Sequence, residues 1–341
     1  MTAATVRVIE PGLLTTIQDA RGRPGLGRFG VPPGGALDQA AAALANRLVG
    51  NRVDAAVLEL TLAGPVLEWV DGVHLALTGA DLGATAAGIA RPPGHAHRLA
   101  AGTVMRFTDR RSGVRAYLAV EGGFDIPAVL GSVATDRRSG FGGLDGRPLR
   151  AGDVLEFGGG GFAGQRGENE TGQRGPGGQS DPGRPLMSAI LPSDDPEAPI
   201  RMIATPSSLR WFDDVATARF CETTWTVAPE SDRNGIRLTG TAVDLDVTRG
   251  GIPSLGIPLG AIQVPPSGQP IVTLADGPVT GGYPVIGVVA RHDHGRLAQA
   301  APGTTLRFVA ISVEAARRLT SPDDQPRLVV DDGDLAAGWA R

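Results

Sequence analysis

The chain has 341 residues, which is long enough for two domains that each bury a separate core. Its net charge is −4 and it shows no basic patch, which excludes a typical nucleic-acid-binding protein. All 32 basic residues are arginines, because the sequence contains no lysine. This excludes a biotinyl-lysine, a Schiff-base lysine and the lysine of a P-loop.

The composition of the chain also indicates a soluble protein of the cytoplasm without membrane contact. The first residues, MTAATVRVIE, lack the basic start and apolar core of a signal peptide. No apolar run approaches the roughly 18 residues needed to cross a membrane. The single cysteine, Cys221, cannot form an internal disulfide, and its place in a predicted helix at residues 210–222 is typical of an inert buried thiol.

Short strands dominate the first 157 residues. Apolar runs bounded by Gly or Pro predict strands at residues 6–9, 13–17, 57–62, 74–77, 104–107, 117–120 and 154–157. A helix is predicted over residues 36–49, because Leu37, Leu44 and Leu48 fall on one face and Gly50 suits its C-terminal cap. The Gly/Pro-rich residues 30–35 lead into this helix, whose free N-terminal amides can hold an anion or simply complete a turn.

Residues 158–199 are predicted to form a flexible linker. They open with GGGGFAGQRGENETGQRGPGGQSDPGRP, a composition that cannot support a packed core. After the linker we expect a helix near residues 209–221, a strand at 225–227 and a short helix at 312–319 with Ser312 as its N-cap. Residues 320–341 are acidic and contain Pro and Gly, and they are predicted to form a loose tail.

A weak internal repeat occurs three times, as AGTVMRF from Ala101, AGDVLEF from Ala151 and PGTTLRF from Pro302. Each copy has a Gly turn followed by a strand that ends in Phe, a pattern typical of a closing strand in β-barrel-like domains. Chance similarity of short strands is the alternative. The third copy follows the linker and favours two related halves, so we expect a mainly β protein with a few helices, in two β-barrel-like domains.

The most informative stretch is residues 260–287, GAIQVPPSGQPIVTLADGPVTGGYPVIG. Two predicted strands, at residues 271–274 and 285–289, flank a loop that contains polar and small residues: Asp276, Thr280, Gly281, Gly282 and Tyr283. A Gly-Gly pair lets the backbone take a positive φ and approach a ligand closely. The neighbouring carboxylate, hydroxyl and phenol can bind a ligand or move protons. The alternative is an ordinary strand-loop-strand turn.

Two further loops carry candidate binding residues. Asp232 and Arg233 lie in PESDRNG, and an arginine fork suits a carboxylate or a carboxylated ureido group, although a surface ion pair is the alternative. Gln269 can hydrogen-bond an amide or lactam at both its donor and its acceptor, or it can hold its own turn. Asp276 is the best candidate for a proton acceptor if it is partly buried, while Tyr283 can donate to an oxyanion or anchor the loop.

The sequence gives little support for a metal site or a hydrolase triad. His95 and His97 form one His-x-His pair and His292 and His294 form another, but neither pair has a nearby third ligand. No serine lies in a Gly-x-Ser-x-Gly motif. We therefore expect no bound metal and no serine triad.

Four blocks of the sequence, in order, resemble one known family. They are residues 11–50 (PGLLTTIQDARGRPGLGRFGVPPGGALDQAAAALANRLVG), residues 115–152, residues 229–238 (PESDRNGIRL) and residues 260–287. The chain resembles the KipA family, also described as the C subunit of 5-oxoprolinase or allophanate hydrolase subunit 2. It is similar as well to the carboxyltransferase subdomains A and B of urea carboxylase. The resemblance runs through about residues 6–310.

The resemblance implies a domain plan and a fold. Residues 1–157 are expected to form a region like carboxyltransferase subdomain A, and residues 200–319 a cyclophilin-like barrel like subdomain B. The candidate site then divides into catalytic residues, Asp276 and Tyr283, and substrate-binding residues, Arg233, Gln269, Asp232, Thr280, Gly281 and Gly282.

The resemblance also implies three functions. The first is ATP-dependent opening of 5-oxoproline to glutamate, shared with a KipI-like protein (the B subunit of 5-oxoprolinase) and a LamB/YcsF-like protein (the A subunit). The second is carboxyl transfer from carboxybiotin to a urea or amide nitrogen, with a biotin carboxylase and a biotin carrier as partners. The third is a regulator that binds a KipI-like kinase inhibitor. In the two enzymatic cases no cofactor is bound covalently, and ATP or carboxybiotin reaches the small-molecule amide substrate through partner subunits.

Two positions depart from the family pattern. Many members read Asp-Arg-x-Thr-Thr-Gly-Gly-Tyr-Pro, whereas here Asp276 is followed by Gly277. Many also read Gly-Ser-Arg-Ser-Thr, whereas here Ser132 is followed by Val133. Two missing arginines imply a different substrate, a different partner or reduced activity.

Overall fold

The structure is a computed structural model that describes residues 3–158, 186–190, 197–204, 211–212, 214–244, 253–319 and 327–330. Strands make up most of the regular structure in these ranges, with a few short helices, and one sheet is nearly closed into a barrel. The predicted mainly β fold class is therefore confirmed. None of the helices in these ranges is long and apolar enough to cross a membrane.

The strands of the first half, in chain order, are β1 (Ala4–Glu10), β2 (Leu14–Gln18), β3 (Val57–Thr61), β4 (Val66–Trp69), β5 (Val73–Asp81), β6 (Ala84–Ala86), β7 (Ile89–Ala90), β8 (His95–Leu99), β9 (Thr103–Phe107), β10 (Ser112–Val120), β11 (Val154–Phe157) and β12 (Met187–Ile190). Helix α1 (Gln39–Leu48) lies between β2 and β3, and a single 3-10 turn covers Gly27–Phe29.

The later strands are β13 (Ile200–Ala204), β14 (Trp225–Val227), β15 (Gly235–Thr239), β16 (Leu255–Gly256), β17 (Ala261–Gln263), β18 (Ile271–Thr273), β19 (Thr280–Gly281), β20 (Val285–Val289), β21 (Thr305–Leu306), β22 (Phe308–Ala310) and β23 (Arg327–Val330). The helices among them are α2 (Asp214–Glu222), α3 (His294–Gln299) and α4 (Val313–Arg318), with a 3-10 turn at Arg291–Asp293.

The chain divides into two compact units, and neither is continuous in sequence. The first unit consists of Met1–Gly22, Asp38–Leu191 and Pro326–Arg341, and the second of Arg23–Leu37 and Pro192–Gln325. Residues 23–37, which the sequence places in the first domain, therefore belong to the second unit. Their Gly/Pro-rich composition carries no periodic signal from which this exchange could be predicted.

The core of the first unit lies between two sheets. One has the strand order β11-β1-β4-β9-β6-β7, and the other β2-β3-β10-β5-β8-β12-β23. Strand β1 shows the expected period of two, because Val6 and Val8 are buried while Arg7 is exposed. Trp69 and Phe157 close this core with an edge-to-face contact, their ring centroids 5.6 Å apart.

Helix α1 covers a polar row on the seven-stranded sheet. The fully buried Tyr117 hydroxyl donates to Glu59 at 2.9 Å and accepts from the Asp38 backbone amide at 2.8 Å. Burial, followed by the charge of Glu59, raises the pKa of Tyr117 well above its ordinary value. The helix begins at Gln39 rather than at the predicted residue 36, because the Asp38 side chain caps it by accepting from the Ala41 amide at 3.0 Å.

The second unit contains the barrel. Its eight-stranded sheet has the order β21-β14-β15-β18-β17-β20-β13-β22, so that β21 and β22 are its two edges. These two strands are separated in the chain by Arg307 alone. Since one residue spans only about 3.5 Å, the two edges of the sheet must meet at this point. The single parallel pairing among the described strands of this sheet, β13 with β22, follows from this switch of the chain between edges.

The internal repeat corresponds to one recurring turn and strand. The first two copies are β9 and β11 in the six-stranded sheet, and the third passes through β21 into β22. The glycine of each copy lies in the left-handed region, with φ of 77° at Gly102, 90° at Gly152 and 84° at Gly303. A side chain at these positions would be strained, so the repeat reflects a shared demand of turn geometry.

The predicted linker and tail each contain a strand that completes the first unit. Strand β12 pairs with β8 through Ser188 and His95, and β23 pairs with β12 from Met187↔Val330 to Ile190↔Arg327. The prediction of a flexible linker is therefore wrong for residues 187–190, and the prediction of a loose tail is wrong for residues 327–330, because both form strands. Both are short runs with apolar residues whose pairing partners are distant in sequence. Residues 159–185 and 191–196 of the predicted linker and residues 320–326 and 331–341 of the tail lie outside the described residues.

The two predicted helices of the second half are present with shifted ends. Helix α4 has Ser312 as its N-cap, as expected, with the hydroxyl accepting from the Ala315 amide at 3.1 Å. Helix α2 begins at Asp214 and contains Cys221, where partial burial raises the pKa of the thiol.

A buried ion pair holds the start of β13 against the 3-10 turn at Arg291–Asp293. The Asp293 side chain is fully buried, and Oδ2 accepts from the Arg201 backbone amide at 2.7 Å and from its Nε at 2.9 Å. Arg201 Nη2 donates to the other oxygen. Burial tends to raise the pKa of Asp293, but the hydrogen bonds from Arg201 and His292 outweigh it and hold the pKa below its ordinary value.

We predict that Asp293→Asn lowers the free energy of unfolding at pH 7 by about 2–4 kcal/mol, because it leaves a largely buried arginine without its counter-charge. The lowered pKa means that this stabilisation is present above the ordinary value of 3.8 and is lost as the pH falls through the native value. The difference between wild type and variant should therefore shrink below pH ~4.

Urea unfolding of both proteins across this pH range measures the effect. Asp244→Asn is the control, because Asp244 is exposed and pairs with exposed Arg219 at 3.2 Å. That change should cost less than about 1 kcal/mol. A cost at Asp293 equal to that of the control, or one that grows as the pH falls, would contradict the assignment.

Candidate functional site

The loop that the sequence singled out leaves β18, forms a small ribbon and returns through β20. Its strand β19 pairs with β16, with Leu255 opposite Gly281 and Gly256 opposite Thr280. The Ile257 amide donates to the Val279 carbonyl at 3.0 Å and extends this ribbon by one hydrogen bond. The ribbon is a separate two-stranded sheet beside the barrel of the same unit.

Arg233 and Asp276 form a bidentate ion pair at the base of this loop. Nε donates to Oδ2 at 2.7 Å and Nη2 to Oδ1 at 2.9 Å, and both side chains are largely buried. The Asp276 amide also donates to the Arg233 carbonyl at 3.1 Å. The structure thus brings these two predicted residues together, and burial of Arg233 excludes the alternative of a surface pair with Asp232.

Asp232 positions Arg233 by holding the turn. Oδ1 accepts from the backbone amides of Asn234 at 2.8 Å and Gly235 at 3.3 Å, and Oδ2 accepts from the Asn234 side chain at 2.6 Å. This is the Asx-type turn that Asp favours. Asp232 is exposed, so its contacts in the structure are those of the loop itself.

The glycine- and proline-rich segment of residues 23–37 packs on the same loops. The Gly34 amide donates to the Ala275 carbonyl at 2.9 Å, and Arg233 Nη2 donates to the Gly35 carbonyl at 2.7 Å. Leu37 belongs to the apolar core of the second unit. The Gly34 amide therefore serves to join this segment to the signature loop.

The structure gives Gln269 a local role. Its Oε1 accepts from the Gly240 amide at 3.0 Å and its Nε2 donates to the Gly240 carbonyl at 3.1 Å. Both ends of the amide thus hold a turn, as the alternative interpretation expected. Thr280, Gly282 and Tyr283 are exposed, and the Tyr283 phenol is free to face a substrate or a partner chain.

The glycine pair does not adopt the backbone conformation that the sequence predicted. Neither Gly281 nor Gly282 has a positive φ. Gly281 is instead extended in β19, where a Cβ would overlap Ile257 Cδ1 and lie 2.9 Å from Gln263 Nε2. A side chain at this position would therefore have to displace the ends of the Ile257 and Gln263 side chains.

Gln263 is a candidate that the sequence reasoning missed. It lies in β17 between Ile262 and Val264 and is 6% exposed. The signal was present in the sequence as one amide in the otherwise apolar run AIQV, since a polar residue in a core strand needs a reason to be there.

The two positions that lack the family's arginines are both closed by packing. At Gly277, a Cβ would lie 2.5 Å from Thr273 Cγ2 and 2.6 Å from the Asn234 carbonyl oxygen. In the first unit, Val133 is 2% exposed in the apolar core, and its amide donates to Asp19 Oδ2 at 3.0 Å. Neither position leaves room for the longer side chain in this structure.

Three of the four paired histidines contact backbone carbonyls, and His292 contacts the side chains of Arg201 and Asp293. His95 and His97 have ring nitrogens 3.0 Å and 3.1 Å from the carbonyl oxygens of Pro93 and Pro92, and His294 lies 3.2 Å from that of Val289. Within the described parts of the chain, no group of three or more His, Cys, Asp or Glu side chains is arranged to hold a metal ion.

We predict that Gly277→Ala destabilises the protein by about 1–3 kcal/mol, because the added methyl group meets backbone and side-chain atoms that cannot both move. Gly256→Ala is the matched control, since nothing lies within 4 Å of its Cβ position. That change should alter stability by less than about 0.5 kcal/mol. Thermal and urea unfolding measure both, and equal effects would contradict the packing argument.

Comparison with known proteins places this geometry in a family. A model of the carboxyltransferase domain, subdomains A and B, matches residues 29–310. The C subunit of 5-oxoprolinase from Escherichia coli (strain K12) is 35% identical over 94% of this chain and 96% of its own length. The protein of the same name from Haemophilus influenzae is 34% identical over 93% of this chain and 96% of its own. Urea amidolyase of Lachancea kluyveri is 34% identical over 96% of this chain, which corresponds to only 18% of the relative.

Solved structures show the same relationship. The urea amidolyase of K. lactis superposes with a TM-score of 0.80 and 28% identity, covering 96% of this chain and 21% of that one. TTHA0988 superposes with a TM-score of 0.73 and 36% identity, covering 90% of this chain and 56% of that one. The chain thus spans about a fifth to somewhat over half of these longer proteins. Because the family model and these relatives cover most of its length, the chain belongs to the family of carboxyltransferase domains, subdomains A and B.

Proposed function

We propose that this chain is one subunit of a heteromeric 5-oxoprolinase, which opens 5-oxoproline to glutamate with consumption of ATP. The observation that carries the proposal is the match to the C subunit of the Escherichia coli 5-oxoprolinase, which extends over 96% of the length of that relative at 35% identity. A KipI-like B subunit and a LamB/YcsF-like A subunit are the partners that the family resemblance implies.

The second unit supplies groups suited to a small amide that carries a carboxylate. Each Asp276 oxygen already accepts one hydrogen bond from Arg233 and keeps a second lone pair, which can accept from a lactam N–H. Tyr283 offers an exposed hydroxyl for a substrate oxygen. Asp276 and Tyr283 are therefore the proposed catalytic residues. Thr280, Gly281 and Gly282 lie between them in the loop and are proposed to contact the substrate.

Groups from other chains complete the proposed reaction. The chain has no lysine and hence no P-loop lysine for ATP, and it cannot carry biotin on a side chain of its own. In the urea amidolyases and in TTHA0988, the region similar to this chain is joined to further sequence within one polypeptide. In the proposed complex the KipI-like protein takes that place, and the family resemblance implies that it carries the complementary carboxyltransferase subdomains C and D.

A second candidate function is carboxyl transfer to a urea or amide nitrogen. It is favoured by the similarity to urea amidolyases, including a TM-score of 0.80 with the K. lactis structure. Carboxybiotin would arrive on a separate carrier charged by a biotin carboxylase. The third candidate is a regulator that binds a KipI-like kinase inhibitor. Such a regulator needs only an interface with that protein and catalyses no reaction.

We predict that the isolated chain is inactive and that turnover appears only in a complex. Co-expression with the KipI-like and LamB/YcsF-like proteins, followed by size-exclusion chromatography, should give a stable heteromer burying at least about 1,000 Å². ATP hydrolysis dependent on oxoproline and on urea is then measured on each peak. Urea-dependent turnover that requires a biotin carrier would establish the second candidate. Association with the KipI-like protein without any turnover would support the regulator. Full turnover by the isolated chain would contradict the proposal.

We predict that Asp276→Asn lowers kcat/KM of the heteromer by at least about 100-fold, because an amide cannot accept from both guanidinium nitrogens and from substrate. The same change removes the counter-charge of a buried arginine and should also lower stability by about 2–4 kcal/mol. Activity is therefore measured well below the melting temperature, with near-UV circular dichroism as the check on folding. Asp244→Asn, an exposed carboxylate of the same unit, should leave activity unchanged. A fully active Asp276→Asn enzyme would exclude the proposed site.

A further inference from the structure

A side-chain amide without a hydrogen-bonding partner in the described ranges lies beside the signature loop, at the end of an otherwise buried side chain. Gln263 is 6% exposed, and its side-chain amide makes no hydrogen bond to any residue in the described ranges. The amide is not sealed from solvent, so water or a ligand can reach it. Because the described part of the chain supplies no partner, the donor and the acceptor of this amide are both available to a ligand.

The local backbone directs this amide toward the glycine pair. Strand β17 pairs with β20 through Ile262↔Gly287 and then Gln263↔Val285, so that one extra residue of β20 forms a bulge beside Gln263. Bulges re-aim side chains and are frequent next to binding sites. Gln263 Nε2 lies 2.9 Å from the position that a Cβ of Gly281 would occupy. The amide therefore reaches the backbone of the loop that carries Asp276 and Tyr283.

The geometry of a primary amide selects the kind of ligand that can satisfy it. The Gln side chain presents a carbonyl oxygen and an N–H in one plane and on one edge. A lactam or a urea presents its own N–H and carbonyl oxygen cis to each other, so the two edges can form a pair of hydrogen bonds. A trans secondary amide presents these groups on opposite edges and can form only one of the two.

We propose that Gln263 is a substrate-binding residue that recognises the cis-amide edge of a lactam or urea. The inference rests on the proposed function, since it concerns the amide substrate of the same site, and it adds the group that distinguishes this substrate class. A side chain at Gly281 would press on this amide and displace it.

Binding to the full-length chain tests the inference without turnover. Ligand-observed NMR is recorded with 2-pyrrolidinone, a cis-lactam, with N-methyl-2-pyrrolidinone, which lacks the N–H, and with the trans amide N-methylacetamide. We expect 2-pyrrolidinone to bind at least about 10-fold more tightly than the other two, because only it forms both hydrogen bonds. Gln263→Met keeps the length of the side chain and should abolish this preference.

Gln269→Met is the matched control. It removes an amide of the same unit whose donor and acceptor are both hydrogen-bonded to the Gly240 backbone. The preference for 2-pyrrolidinone should therefore remain. Gln263→Met should change the melting temperature little, because the amide that it replaces makes no hydrogen bond within the described ranges. Should that variant fail to fold, Gly281→Ala provides the second test, since its methyl group presses on the amide and should reduce the same preference.

The heteromer separates this inference from the proposed function. With oxoproline as substrate, Gln263→Met should raise KM at least about 10-fold with a smaller change in kcat, as expected for a binding residue. Normal KM together with an unchanged lactam preference would overturn the inference while leaving the proposed function intact. A preference that depends on Gln263 in a heteromer without oxoprolinase activity would support the inference and reject that function. Absence of the preference in both the wild-type chain and the heteromer would also overturn the inference.

Discussion

The candidate site depends on one buried guanidinium. Arg233 joins three segments that are distant in sequence, because it donates to Asp276 on the signature loop and to the Gly35 carbonyl of the glycine- and proline-rich segment, while Asp232 holds its own turn. A buried charge must be paired and hydrogen-bonded, and removing one partner leaves the other with the full cost of desolvation. The relative positions of these loops are therefore coupled through a single side chain.

Local features of the fold could be predicted from the sequence because they depend on near neighbours. The Ser312 cap, the buried helix face of Leu44 and Leu48, and the glycine turns of the repeat each follow from a few adjacent residues. Arg233 and Asp276 were assigned to one candidate site from the sequence, but their ion pair with each other was not predicted. The partners of β12 and β23 could not be predicted, because strand pairing at long range leaves no local periodic signal.

The site differs from the sequence-based expectation where packing overrides the usual preference of a residue. Glycine at residue 281 suggested a left-handed turn, but its backbone is extended and the missing side chain makes room for Ile257 and Gln263. Gln269 suggested a ligand contact, whereas its amide holds Gly240. In both cases the residue type marked an unusual position. Only the three-dimensional neighbours show whether the residue faces a ligand or serves the packing of the chain.

The discontinuous first unit constrains the order in which the chain can acquire its structure during synthesis. Its seven-stranded sheet ends with β12 and β23, and β23 is made only after the whole barrel of the second unit. A growing chain can therefore complete the barrel while the edge of the earlier sheet still lacks its last strand. An incomplete edge offers unpaired backbone groups to other chains, so the interval before residues 327–330 emerge is the stage most exposed to misassociation.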